Sequence, residues 1–144
     1  MKRPLITDIK ILKLKSHSVE FGHPFVKDVI EELEDSLDIN RGIGLTAIQI
    51  NIARRVAIIR MPRLKLNLIN PILLEKYDKF RFRDERCLSL PGLSIDTIRY
   101  MDITVKNGDG KTLSFTGLEA VVVQHEIDHM NGLTILDRKW RKQR

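Results

Sequence analysis

The amino-acid sequence predicts an α+β fold in which mostly antiparallel strands surround a central helix, with a second, amphipathic helix nearer the N-terminus. Three observations predict this class. Apolar residues recur at helical spacing in residues 24–40, and helix-capping signals bracket residues 116–132. Elsewhere, short runs of strand-forming residues are separated by turn signals, of which Asn107-Gly108 is the strongest.

The N-terminal part of the chain is predicted to form one short strand and one long helix. Apolar and basic residues alternate in residues 9–14, a pattern that favours a strand. Residues 24–40 form the amphipathic helix, with Pro24 in its first turn and acidic residues on its wet face. Its apolar face consists of Phe25, Val29, Ile30, Leu33 and Leu37.

The middle of the chain is predicted to build the sheet. Residues 42–49 contain two glycines, which indicate either a tight turn or backbone that lies close to a ligand. The predicted strands that follow are residues 55–61, 66–69, 72–82, 93–98, 101–105 and 113–115. The last of these strands leads directly into the central helix.

Size and composition predict one domain, residues 1–144, without a membrane span or secretion signal. The chain is 42% hydrophobic, enough for one ordinary core, and it has no run of about 18 apolar residues. Its single cysteine, Cys87, excludes an internal disulfide and fits a reducing compartment. The basic N-terminus is not followed by an apolar signal core. We therefore expect an intracellular, cytoplasmic protein.

The net charge of +6 has two interpretations. The commoner interpretation is a soluble surface with an excess of Lys. The more specific interpretation is that the protein functions near a polyanion such as RNA. The sequence has no zinc-finger spacing, no RNA-binding aromatic signature and no sustained basic helix. We therefore expect no specific nucleic acid as a partner.

The central helix carries a His-Glu-x-x-His motif, His125 to His129. Residues 116–119 resemble a capping box at the start of this helix, and residues 131–132, Asn-Gly, supply its end. Residues four apart share a helix face, so both imidazoles can point at one metal ion, with Glu126 close enough to reach a metal-bound water. The alternative is a chance meeting of these side chains on a core helix.

Two residues elsewhere are candidates to complete such a site. Cys87 is either a small buried hydrophobe, the usual fate of a free cysteine, or a thiolate ligand. Gln49, after the glycine segment, offers an amide that both donates and accepts hydrogen bonds. Three protein ligands and an open fourth position would define a catalytic metal site, since structural sites normally use four.

Three segments stand in one order, and they read Gly42-x-Gly44-Leu45-x-Ala47-x-Gln49, Glu85-x-Cys87-Leu88-Ser89 and Gln124-His125-Glu126-x-Asp128-His129. Together they resemble peptide deformylase, the metal hydrolase that removes the formyl group from the N-terminal formyl-methionine of new bacterial and organellar proteins. The resemblance covers residues 42–137. Each segment alone is moderate evidence, whereas all three in this order and spacing are highly specific.

The resemblance implies metal ligation by Cys87, His125 and His129, with water in the fourth position. A metal lowers the pKa of its bound water towards about 7, so that hydroxide can attack the formyl carbon at neutral pH. Glu126 would act as general acid and base, taking the proton of the water and returning it to the leaving amine.

The resemblance also assigns residues around the substrate. Gln49 and the backbone N–H of Leu88 match the groups that hold the formyl oxygen. Ile43 and Gly44 match the segment beside which the substrate backbone lies. Ile43, Leu88 and the first turns of the central helix match the walls of the methionine pocket.

Other positions match the family in support of the site or depart from it. Glu85 and Arg99 match a supporting ion pair. Arg86 stands where the family usually has Gly, which adds bulk and charge at the mouth of the site beside the substrate. Thr46 replaces a usual Ala. Many bacterial members continue well beyond the position of Trp140, whereas short, bacteriophage-encoded members do not, so a viral source is one expectation.

The implied cofactor is one divalent metal ion, with ferrous iron expected in the cell and zinc, nickel or cobalt as alternatives on isolation. The implied partners are N-formyl-methionyl nascent peptides, near the ribosome, and we expect a monomer in the cytoplasm of a bacterium or of a bacterial host. Two other functions stay open. One is a metallopeptidase of the same motif, and the other is a basic RNA- or ribosome-binding module with a structural metal site.

Overall fold

The computed structural model describes residues 3–141 and has the predicted α+β class, with two antiparallel sheets and three α-helices in the described part of the chain. The helices are α1 (Ile9–Leu12), α2 (Pro24–Asn40) and α3 (Gly117–Met130). The strands are β1 (Gly44–Thr46), β2 (Val56–Met61), β3 (Leu64–Ile69), β4 (Ile72–Glu85), β5 (Ile95–Lys106) and β6 (Thr112–Thr116). Short 3-10 helices form at Ala47–Ile50 and Ile135–Arg138.

Each sheet has three strands in chain order, β1-β2-β3 and β4-β5-β6, and every neighbouring pair is antiparallel. The predicted turn at residues 107–110 joins β5 to β6, and the Gly110 N–H donates to the Asn107 carbonyl at 2.9 Å. Such short connections place consecutive strands side by side.

Strand β2 is buried on both faces and separates two apolar clusters. Val56 and Ile58 pack in the cluster that contains the buried face of α2. Ala57, Ile59 and Met61 pack in the cluster that contains α3 and the second sheet. The alternation follows the two-residue period of a strand. Helix α3 thus lies against the first sheet and also contacts β5 and β6 of the second.

The ends of α3 were only partly predictable. Asn131 ends the helix and Gly132 has a φ of +77°, as the Asn-Gly signal predicts. The expected capping box is wrong, because the Thr116 side chain makes no capping hydrogen bond. Gly117, the first residue of α3, has a φ of +65°, which is not the helical geometry that a capping box requires.

Three other predictions need correction. Residues 9–14 do not form a strand, because the Asp8 carboxylate accepts from the Lys10 N–H at 2.9 Å and starts the one-turn helix α1. The predicted break between residues 98 and 101 is absent, and β5 is one continuous strand. In α2, Val26 is buried and Phe25 is 41% exposed, so the apolar face begins one residue later.

None of the helices in residues 3–141 combines the length and hydropathy that a membrane crossing requires.

Candidate active site

Helix α3 and the loop after β4 bring three candidate metal ligands together. His125 and His129 lie one helical turn apart, and their Nε2 atoms are 3.2 Å from each other. The Sγ atom of Cys87 lies 3.4 Å from the His129 Nε2. The three ligand atoms all fall within 4.8 Å of one another.

Two of the three spacings between these atoms fit a single cation. At ordinary zinc bond lengths, a tetrahedral site places two nitrogens about 3.3 Å apart and a nitrogen and a sulfur about 3.6 Å apart. Cys87 and His129 are buried, at 6% and 1% exposure. An ion bound to both would therefore have protein, and not solvent, around these two ligands. One sulfur and two imidazole nitrogens form a donor set that suits zinc, iron, cobalt or nickel.

A buried carboxylate fixes the orientation of His125. Glu85, which ends β4, lies 2.8 Å from the His125 Nδ1. Burial tends to raise the pKa of Glu85, but hydrogen bonds from His125 and Arg99, with their charges, lower it to about 2. Since an ionised carboxylate only accepts hydrogen bonds, the Nδ1 must donate the proton. The Nε2 of a neutral His125 ring is then left with its lone pair towards the ligand atoms.

Behind Glu85, Arg99 joins β4 to α3. Its Nε donates to Glu85 at 2.8 Å, and its Nη1 donates to Asp128 at 2.7 Å, although the guanidinium is only 2% exposed. Arg138 contacts the same Asp128 carboxylate through two nitrogens, at 2.8 and 3.0 Å. This network, which is buried except at Arg138, links the end of β4, just before Cys87, to the helix that carries the two histidines.

The two imidazoles differ in their affinity for a proton. Burial opposes protonation of His125, but hydrogen bonds with Cys87 and Glu85 raise its pKa well above the usual value. Burial, together with the nearby charge of His125, lowers the pKa of His129 well below the usual value. Of the two imidazoles, His125 is therefore the one on which a cation competes with a proton.

Glu126 is the only carboxylate of the motif that lies beside the ligands and lines the cavity described below. It is 2% exposed and accepts a hydrogen bond from the Thr46 hydroxyl at 2.9 Å. Burial raises its pKa, against the opposing effects of the His125 charge and the Thr46 hydrogen bond. A raised carboxyl pKa suits a group that takes up and returns a proton near neutral pH.

Gln49 is held in one orientation next to the ligands. Its Oε1 accepts from the Thr46 N–H at 3.0 Å, and its Nε2 lies 3.1 Å from the Ser89 Oγ and 3.7 Å from the Cys87 Sγ. Gln49 and Ser89 are both fully buried. The amide therefore presents its donor end to the site.

A cavity of about 500 Å³ opens onto these residues. Apolar side chains from α3 form one wall, including Leu118, Val121 and Val122. Leu118 is 51% exposed, although it is apolar, because it borders the cavity. Arg86, Arg41 and Asp84 line the same cavity and are exposed, so the two arginines outnumber the acidic residue at its rim.

The structure gathers most of the sequence-predicted site residues around one cavity. Those that line it are Ile43, Gly44, Gln49, Glu85, Arg86, Cys87, Leu88, His125 and Glu126. Two predicted residues are not in its lining. His129 supplies one of the three ligand atoms but is almost fully buried, and Arg99 lies behind Glu85.

Sequence reasoning did not assign roles to Ser89, Asp128 or Arg138, and it treated Thr46 as a minor departure. Ser89 and Asp128 lie inside the recognised segments, so their positions were available as a signal. Arg138 carries no signal of its own, because its contact with Asp128 joins two separate elements. Only the folded structure reveals that contact.

The sequence and the fold of this chain are similar to those of known proteins. The family described as polypeptide deformylase matches residues 3–144. A peptide deformylase of Aquifex aeolicus is 36% identical over 145 residues, covering 92% of this chain and 85% of that protein. The crystal structure of a peptide deformylase from Thermotoga maritima superposes with a TM-score of 0.86 at 29% identity, covering 98% of this chain and 99% of that one.

A viral relative is also similar. The structure of the deformylase from the Vibrio parahaemolyticus bacteriophage VP16T, in complex with actinonin, superposes with a TM-score of 0.83. It is 33% identical, and the match covers 92% of this chain and 99% of that one.

Proposed function

Since the chain belongs to the polypeptide deformylase family, we propose that it removes the formyl group from the N-terminal formyl-methionine of nascent polypeptides. The observation that carries the proposal is the convergence of Cys87, His125 and His129 beside a buried Glu126 at the floor of one cavity. These three side chains would hold a single divalent cation. Three protein ligands leave room for a water molecule, as a catalytic site requires.

The reaction proposed is hydrolysis of a formamide. A divalent cation at this donor set supplies water of lowered pKa and polarises the formyl oxygen. Glu126 accepts the proton of the attacking water and later delivers it to the nitrogen of the leaving amine. Its burial and raised pKa support this exchange.

The negative charge that develops on the formyl oxygen needs donors. We assign this role to the Nε2 of Gln49 and to the backbone N–H of Leu88. The fixed orientation of the Gln49 amide supports the assignment, because a donor that is already in place needs no reorganisation during the reaction. One such donor is typically worth about 3–4 kcal/mol of activation free energy.

Substrate binding is assigned to the walls and rim of the cavity. The apolar wall of α3 suits the flexible thioether side chain of methionine. Ile43 and Gly44 would lie beside the substrate backbone. The next residues of the peptide would pass Arg86 at the rim, so this arginine would influence preference beyond methionine. A narrow site that accepts a small formyl group would exclude internal peptide bonds.

For the cofactor, we propose ferrous iron in the cell, with zinc, nickel or cobalt able to occupy the same donors after isolation. Iron bound to the Cys87 sulfur would be sensitive to oxygen. We further propose that the protein acts in the cytoplasm as a monomer, close to the ribosome, where formylated chains emerge.

The experiment is an assay of amine release from formyl-Met-Ala by protein that was purified anaerobically and whose bound metal was measured. We expect about one metal ion per chain and turnover that requires it. The Glu126→Ala variant should keep the metal and lose turnover. The matched control is Glu119→Gln, which alters another carboxylate of α3 that does not line the cavity.

Two results would contradict the proposal. Equal rates for wild type and Glu126→Ala would remove the role of Glu126. Cleavage of unformylated peptides without amine release from formyl-Met-Ala would indicate a metallopeptidase.

A further inference from the structure

Thr46, the last residue of β1, connects two groups of the candidate active site. It is fully buried. Its backbone N–H donates to the Gln49 Oε1 at 3.0 Å, and its hydroxyl donates to the Glu126 Oε1 at 2.9 Å. One residue therefore contacts both the assigned general base and the assigned oxyanion donor.

The hydroxyl of Thr46 is the only hydrogen-bond partner that the Glu126 carboxylate has within residues 3–141. The other carboxylate oxygen faces Gly44, where an added Cβ would lie 2.6 Å from the Glu126 Oε2. Strand β1 thus contacts the carboxylate on both sides, through a hydroxyl at one end and a bare Cα at the other. Without the hydroxyl, nothing polar in the described chain would fix the rotation of this carboxylate.

The two contacts of Thr46 are separable by mutation. The contact with Gln49 uses the backbone and survives any replacement of the side chain except proline. The contact with Glu126 uses the hydroxyl and is removed by valine, which has nearly the same shape. Valine also removes the hydroxyl from the capping box that Thr46 forms with Gln49 at the start of the 3-10 helix, so the double variant described below is needed to assign a loss to the Glu126 contact.

We propose that Thr46 is a positioning residue for deformylation, whose hydroxyl holds the Glu126 carboxylate in the orientation that serves proton transfer. The inference rests on the proposed function. Thr46 does not line the cavity, so it would not touch a peptide bound there. Its contribution should therefore appear in the turnover number, and substrate affinity should stay the same.

The test compares Thr46→Val and Thr46→Ser in the metal-loaded enzyme with formyl-Met-Ala. We expect Thr46→Val to lower kcat about tenfold and to change KM less than about twofold. The Glu126 carboxylate is still present in this variant, but it loses the hydrogen bond that orients it for proton transfer. Thr46→Ser keeps the hydroxyl and should stay within about threefold of the wild-type kcat. The matched control is Thr104→Val, which removes a buried hydroxyl that has no hydrogen-bond partner in the described part of the chain and lies outside the cavity.

A double variant shows whether Thr46 acts through Glu126. In Glu126→Asp the carboxylate is shorter by one methylene and no longer reaches Thr46. Adding Thr46→Val to this background should then change kcat less than about twofold, because coupled residues do not contribute independently. A further tenfold loss in the double variant would overturn the proposal.

Other results separate positioning from a merely structural role. Bound metal and melting temperature are measured for every variant. Equal losses in the Val and Ser variants, or losses that follow metal content or melting temperature, would overturn the proposal. A Thr46→Val variant with the wild-type kcat would overturn it while the proposed function stands. A wild type without activity on formyl-Met-Ala would overturn both.

Discussion

Two buried polar clusters meet at the ring of His125, and they differ in how completely their polar atoms are paired. The ligand cluster consists of Cys87, His125 and His129. The ion-pair cluster consists of Glu85, Arg99, Asp128 and Arg138. Cys87 and His125 of the ligand cluster line the cavity. Glu85 is the one member of the ion-pair cluster that lines it.

The ion-pair cluster is fully paired. Arg99 donates to two carboxylates, those of Glu85 and Asp128, and Asp128 also accepts from Arg138. The ligand cluster is not. The His129 Nε2 lies 3.2 Å from the His125 Nε2 and 3.4 Å from the Cys87 Sγ, and the Nδ1 of His129 is buried without a hydrogen-bond partner among residues 3–141.

This difference indicates that the two clusters have different roles. Buried charges are costly unless they are paired and hydrogen-bonded, so a satisfied cluster can serve as a rigid support. A buried cluster whose lone pairs converge on one point is suited to binding something else. Glu85 joins the two through its contact with His125. The ion-pair cluster should therefore govern stability, and the ligand cluster should govern activity.

The largest expected effect follows from breaking the ligand cluster. In His129→Ala, kcat/KM for formyl-Met-Ala should fall on the order of a thousandfold or more, because the cation contributes several kcal/mol to the transition state. Bound metal should fall below one equivalent in the same preparation. A variant that keeps full activity without metal would contradict the assignment of activity to the ligand cluster.

The next effect follows from breaking the ion-pair cluster. Arg99→Met leaves Glu85 and Asp128 buried with fewer partners, so the free energy of unfolding should fall by about 3–5 kcal/mol. Urea denaturation of the metal-loaded protein measures it. A loss below about 1 kcal/mol would show that the cluster is not a support.

Acidification should remove the stabilisation that the ionised Glu85 carboxylate gives to the ion-pair cluster, whereas pH changes near neutrality should not affect it. The folded pKa of Glu85 is about 2, below its usual value of 4.5, so its stabilisation is complete above pH 4.5. It is lost as the pH falls from 4.5 towards 2. The shift corresponds to about 3 kcal/mol. Urea midpoints at several pH values, for wild type and Glu85→Gln, should converge on acidification. A constant difference between the two would contradict this prediction.

The smallest effect is expected at the outer edge of the ion-pair cluster. The Arg138 side chain is 40% exposed, so solvent screens its pair with Asp128. Arg138→Gln should cost about 1 kcal/mol or less in unfolding free energy and leave kcat/KM within about twofold. Thermal unfolding and the amine-release assay check the two values. A large loss of activity would mean that this edge of the network positions the ligands.

The two clusters also differ in how far the sequence could predict them. His125 and His129 follow from the four-residue spacing on a helix, and their meeting in the structure needed no long-range information. Cys87 lies far from the two histidines in the chain. It was predicted as a ligand only because it is the single cysteine and lies in a recognised segment. The pairing of Glu85 with Arg99 came from the resemblance alone.

What the sequence could not predict depends on contacts between distant elements. The Arg138 contact with Asp128 and the Thr46 contact with Glu126 each join two elements that no periodicity relates. Similarly, residues 9–14 alternate like a strand, but the side-chain cap from Asp8 selects one turn of helix. The fold class was predictable because hairpin turns and helical spacing are local signals, whereas these contacts are set by tertiary packing.

Location of the cation tests the central claim most directly. A crystal of the protein loaded with zinc or cobalt would be measured at the absorption edge of that metal. We predict one anomalous peak per chain, bonded to the Cys87 sulfur and to the Nε2 atoms of His125 and His129. A protein that is active on formyl-Met-Ala but shows its peak elsewhere, or no peak at these three atoms, would contradict the account.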